Sequence, residues 1–147
     1  GTTCAVTCAA GFTGTSEDFV CSNEELSGSL PICEPTACTV PDEFDDYIHT
    51  CDGIKSADPD CMVSCKPGSE GTPAAFSCTL GTLTGTLPSC TLSKCKKNYP
   101  WDVTWDISAC VGTVTGESCD ITCRRGYSGS TATASCTETG AFTDVSL

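Results

Sequence analysis

Along the chain, apolar residues alternate with small or polar ones in short runs, and nowhere do they hold a helical period over ten residues. MVSC (Met62–Cys65), AAFSC (Ala74–Cys78) and TATASC (Thr131–Cys136) send every second side chain to one face, which is the period of a strand. Glycine-bearing stretches such as KPGSEG, TLGTLTG and GYSGS punctuate these runs and predict tight turns. In DEFDDYIHTC, Asp42–Cys51, one helical turn is the most the pattern allows. The expectation is an all-β protein of short strands.

The pattern recurs. Cys4, Cys61 and Cys119 are spaced by 57 and 58 residues, as are Cys8, Cys65 and Cys123, and Cys21, Cys78 and Cys136. Gly11, Gly68 and Gly126 keep the same step inside CAAGF, CKPGS and CRRGY, and SGSLPIC and TGTLPSC close at Cys33 and Cys90. A fixed step of this length is the mark of a tandem array. We read a partial or shortened repeat over 1–33, a complete one over 38–90, and one over 95–147 that lacks its last cysteine. The linkers, Glu34–Ala37 and Thr91–Lys94, are short enough to restrict the angle between neighbours, so an end-to-end, semi-rigid arrangement is expected.

Composition explains how so thin a repeat could fold. Of 147 residues 15 are cysteine, while long aliphatic side chains are sparse. A chain of this kind relies on disulfides rather than on a large core, and disulfides persist in oxidising compartments. An extracellular or cell-surface location follows as the expectation. The opening GTTCAV has neither an initiator Met nor a signal peptide, as expected of a processed or excised segment, and no apolar run approaches a membrane span. The net charge of -12 argues against nucleic-acid binding. That charge is uneven: thirteen acidic residues face only Lys55 and Lys66 up to Cys90, whereas Lys94, Lys96, Lys97, Arg124 and Arg125 nearly balance the remainder. A solvated acidic surface is one reading; contact between acidic and basic repeats of different chains is the other.

The residues resemble the sushi, or complement-control-protein, module over essentially the whole chain. The complete repeat supplies Cys38, then Cys65-Lys-Pro-Gly68, Cys78 and Pro88-Ser-Cys90; the last adds Gly126-Tyr127, and Gly140-Ala-Phe142 where the family has Gly-x-Trp. The additional Cys51 and Cys61 make it most similar to the six-cysteine modules of selectins. It departs from the family where Leu26, Leu83 and Phe142 replace the core tryptophan, and where Gly11-Phe12 and Gly68-Ser69 stand for Gly-Tyr. Six cysteines alone permit fifteen pairings. The resemblance implies Cys38–Cys78, Cys51–Cys61 and Cys65–Cys90, with Cys95–Cys136, Cys110–Cys119 and Cys8–Cys33 by repetition. Cys4, Cys21 and Cys123 are then left unpaired. The same frame would place a partner for Cys123 just after Leu147, and partners for Cys4 and Cys21 before Gly1 unless a shortened first repeat joins them to each other.

Other chemistry fails on inventory. A single histidine, His49, with no Gly-x-Ser-x-Gly and no glycine-rich phosphate loop, gives no catalytic set, so we expect no enzyme and no cofactor. No second close cysteine pair accompanies Cys-x-x-x-Cys within a repeat, which argues against zinc. The acidic loop Pro41–Gly53 lacks the spaced carboxylates of a calcium loop, and a solvated loop is favoured over a metal site. Two tryptophans in YPWDVTWD, Trp101 and Trp105, lie close in sequence to Lys94, Lys96 and Lys97 and form a candidate interface; the alternative is that one is simply buried locally. Thr and Ser, 39 together, suit O-glycosylation or merely β-structure, and Asn23 and Asn98 both fail the N-glycosylation pattern. The function expected is structural or adhesive: a segment of a sushi-like array that self-associates into a coat, stalk or filament. The alternative is a receptor-like array recognising a protein or a glycan.

Overall fold

A computed structural model describes residues 2–145. The fold is small, all-β and rich in disulfides. From the first repeat and its linker come β1 (Thr2–Val6), β2 (Phe12–Thr13), β3 (Glu17–Ser22), β4 (Glu25–Ser27) and β5 (Glu34–Pro35). A 3-10 turn, Asp42–Asp46, precedes β6 (Tyr47–His49), β7 (Cys61–Cys65), β8 (Ser69–Glu70), β9 (Ala74–Thr79), β10 (Thr82–Thr84) and β11 (Thr91–Leu92). The chain ends with β12 (Trp105–Asp106), a second 3-10 turn at Ser108–Cys110, β13 (Ser118–Cys123) and β14 (Ala132–Ser135).

The 57- and 58-residue step survives as strand register. Cys4 lies opposite Phe19 in the β1/β3 ladder, Cys61 opposite Phe76 in β7/β9, and Cys119 opposite Ala134 in β13/β14. A one-residue slip would turn every inward side chain to solvent, so three equal registers mean three equivalent faces. The sheets built on these ladders run β1-β3-β4, β10-β9-β7-β6 and β12-β13-β14.

By contacts the chain forms two compact units, Gly1–Val63 with Pro73–Leu87, and Ser64–Thr72 with Pro88–Leu147. Each has one core. In the first, Cys38, Cys51, Cys61 and Cys78 surround Val63, and Phe44 stacks edge-to-face on Phe76 with ring centroids 4.9 Å apart. In the second, Cys95, Cys110, Cys119 and Cys136 surround Ile121, and Tyr99 meets Phe142 edge-on at 5.1 Å. Such edge-to-face pairs add stabilisation beyond the area they bury. The rings do not correspond by position. Ala134 stands where Phe76 is, and Phe142 takes the place of Leu83, a large-for-small exchange that keeps the core filled.

Both linkers are strands rather than free connectors, and each lies within a unit. Glu34–Pro35 pairs with Phe12–Thr13; the Thr36 N–H donates to Gly11 O at 2.8 Å, and the Ser56 N–H donates to Thr36 O at 2.8 Å. In the other unit Thr91–Leu92 pairs with Ser69–Glu70, the Ser93 N–H donates to Gly68 O at 2.9 Å, and the Thr115 N–H donates to Ser93 O at 2.9 Å. The short linker spacing read in the sequence thus corresponds to a chain that is hydrogen-bonded on both sides.

The three sequence counterparts of the family tryptophan fare differently: Phe142 is 2% exposed, Leu83 packs against its core, and Leu26 is 62% exposed. Phe142→Ala should therefore cost about 3–5 kcal/mol, and Leu26→Ala no more than about 0.5 kcal/mol. Denaturant unfolding of the two variants checks this; equal losses would contradict the assigned core.

Candidate protein-contact surface

The tryptophan loop is built from local hydrogen bonds. Pro100 fixes the backbone before Trp101, and Asp102 then closes a turn, its carboxylate accepting the Thr104 N–H at 2.8 Å and the Thr104 hydroxyl. The Trp105 N–H completes the turn by donating to Asp102 O at 3.2 Å. Asp106 repeats the device by accepting the Ser108 N–H at 3.0 Å. Arg124, on the neighbouring strand connection, clamps the loop: its N–H donates to Thr104 O at 2.8 Å and its Nε–H to Trp105 O at 2.7 Å. The Thr104 hydroxyl and then its amide hold the Asp102 carboxyl below the usual carboxylate range, aided by the Arg124 charge. Asp106 is lowered chiefly by the Ser108 amide.

This scaffold treats the two tryptophans differently. Trp105 begins β12, lies opposite Cys123 and packs half-buried against its core, as its counterpart Tyr47 does in the other unit. Trp101 is 70% exposed. Trp105 borders two grooves. One, of about 320 Å³, is shared with Tyr99, Trp101 and Val145; the other, of about 250 Å³, with Thr104, Cys123 and Tyr127. Tyr127 is itself exposed. The result is an aromatic surface in which rigid rings stand over concave ground, the kind of feature that anchors protein contacts.

The lysines expected beside the tryptophans lie elsewhere. Lys94, Lys96 and Lys97 line a separate hollow of about 200 Å³ together with Glu70 and Glu138. Lys96 Nζ is 3.7 Å from a Glu70 carboxylate oxygen, an exposed pair of little energetic weight that nonetheless compensates the charge. Tyr99, Tyr127 and Arg124 were not singled out as contact residues from sequence; Gly126-Tyr127 in CRRGY was read there as a repeat and family motif, not as part of a contact surface.

The six disulfides are Cys8–Cys33, Cys38–Cys78, Cys51–Cys61, Cys65–Cys90, Cys95–Cys136 and Cys110–Cys119, the pairs the family resemblance implies. Cys4, Cys21 and Cys123 carry free thiols. In the acidic loop, Asp42, Glu43, Asp45 and Asp46 point to solvent around the buried Phe44. Among the described residues no cluster of three or more His, Cys, Asp or Glu is placed to hold a metal ion. No family model matches the chain, and no curated protein matches it in sequence.

Because the folded pKa of Asp102 is depressed, its contribution to the loop is present above the unfolded value of about 3.9 and is lost as pH falls through the lower folded value. Thr104→Val should bring the Asp102 midpoint back up toward that ordinary value. Carboxyl titration by NMR reads the change; an unmoved midpoint would show that Thr104 does not hold this carboxylate.

Proposed function

We propose that this chain is a segment of an extracellular, non-catalytic array of sushi-like repeats that serves a structural or adhesive role by associating with copies of itself. The single observation that carries the reading is the junction built twice over: each linker is hydrogen-bonded to the strand behind it and to the loop ahead, at equivalent residues. A receptor whose modules must reorient has no use for linkers tied down in this way, whereas a coat or stalk that transmits load does. The six disulfides support an oxidising compartment. Among the described residues no helix is long and apolar enough to cross a membrane.

A second reading, recognition of a protein or glycan, is favoured by one feature, the exposed Trp101 with Tyr127 on either side of Trp105. Electron microscopy of the native protein separates the two: regular filaments or sheets accord with the structural role, and dispersed particles with recognition. Trp101→Ala with Tyr127→Ala, both exposed, should weaken assembly and leave the unfolding midpoint unchanged. Assembly that proceeds unaltered would remove this surface from the interface.

A further inference from the structure

The tryptophan loop departs from its counterpart in a way that folding does not require. Phe44 and Trp101 each lie six residues after the first cysteine of a repeat, Cys38 or Cys95. Phe44 is fully buried, because its ring fills the first core against Phe76. In the last repeat Tyr99 and Phe142 make the aromatic pair instead, and Trp101 is left 70% exposed. Around it stand rings with unused faces. Tyr99, Trp101 and Trp105 wall a groove of about 320 Å³ that Asn98 and Asp144 also line. Among the described residues neither tryptophan stacks on another ring, no lysine or arginine lines this groove, and Asp144 is in no ion pair. Two of the walls are fixed in advance: Tyr99 edge-on against Phe142 at 5.1 Å, and Trp105 through the Arg124 Nε–H donated to its carbonyl at 2.7 Å. The neighbouring groove shares Trp105, but no carboxylate lines it.

We propose that this groove binds a quaternary ammonium group, the head carried by choline and by choline lipids. An aromatic face is electronegative and attracts a cation placed over it, most strongly when the ring is tryptophan. Three rings and one carboxylate with no competing cation make a site of that sign. The carboxylate repels anions, and without a lysine or arginine the groove has nothing to neutralise a phosphate or sulfate. A primary ammonium is a less suitable occupant, because it is strongly hydrated and brings three N–H donors that each need an acceptor. A trimethylammonium has no N–H to satisfy. Its methyl groups can rest on the rings while Asp144 supplies the counter-charge. Walls held in place before binding leave little to be ordered when the ligand enters. The net charge of -12 draws cations toward the protein as a whole. This site goes beyond the self-association proposed above and does not depend on it.

Choline titrated into the dispersed protein and followed by NMR is the test. The uncharged carbon isostere, with a tert-butyl group in place of trimethylammonium, has the same shape and serves as the comparison. Choline should bind roughly tenfold more tightly than the isostere, since the attraction to the rings comes from its charge. Amide shifts should centre on 98–105 and Asp144. Trp101→Ala should weaken binding roughly tenfold with an unchanged unfolding midpoint, Trp101→Phe should recover most of it, and Asp144→Asn should weaken it severalfold. Equal affinity for the isostere, shifts centred on 127–130, or binding that survives Trp101→Ala would each overturn the proposal. Vesicles identify the source of the head. Sedimentation of the protein with phosphatidylcholine but not phosphatidylglycerol vesicles supports a lipid surface, and choline binding without sedimentation supports a soluble ligand. Binding is read without reference to filaments, so failure here and failure of the structural role are distinct results.

Discussion

Everything else in this protein depends on two disulfides being buried side by side in each core. Cys38–Cys78 with Cys51–Cys61, and Cys95–Cys136 with Cys110–Cys119, occupy the place that aliphatic layers hold in a larger domain. In the chain-entropy view, loops of 40 and 10 residues contribute about 4 and 3 kcal/mol. For so small a core that is comparable with the whole stability of a domain. The sulfur atoms also explain why the aromatic pair can change identity between the cores, Phe44 with Phe76 in one and Tyr99 with Phe142 in the other. With the strands cross-linked, the remaining space need only be filled.

The third kind of disulfide lies at the linkers. Cys8–Cys33 and Cys65–Cys90 join a cysteine three residues ahead of a turn glycine, Gly11 or Gly68, to the residue just before a linker. The chain then leaves as β5 or β11, already paired with β2 or β8. Gly11 and Gly68, at φ of +87° and +86°, turn their carbonyls toward the linker amides. At Gly68 a Cβ would also sit 2.7 Å from the Thr115 methyl. Glycine is needed there for backbone conformation and for close approach together. A covalent bond, a turn and a ladder thus converge on each junction.

Much of this was legible in the residues. The two-residue period located β7, β9 and β14, and the cysteine step announced the repetition that the structure keeps as equal strand registers. What could not be read were choices between partners far apart in sequence. Nothing in the neighbourhood of Tyr99 announces that it stacks on Phe142, because an aromatic ring and a Leu satisfy the same inward position. The tryptophans and lysines were grouped because they are near in sequence. Yet the Lys96 and Lys97 amides donate to Gly140 O, and this backbone tie directs the lysines to a hollow away from the rings. The turn closed by Asp102 then carries Trp101 and Trp105 to the other grooves. Local chemistry was visible; the direction in which a turn aims it was not.

Charge gives the aromatic surface its setting. Up to Cys90 the chain is strongly acidic, and copies approaching through that part repel one another over the roughly 8 Å reach of electrostatics at physiological salt. Beyond Cys90 six acidic residues face five basic ones, so the tryptophan loop lies on the stretch where repulsion is weakest. Arg124 is used inside that loop, bonded to Trp105 O, while Arg125 is left exposed beside it. In the self-association proposed above, a surface of this kind would meet an acidic partner that presents an apolar side chain, and the acidic repeats of another copy are the partner the proposal names. Rings would supply the short-range contact, and the charge difference the choice of which parts meet.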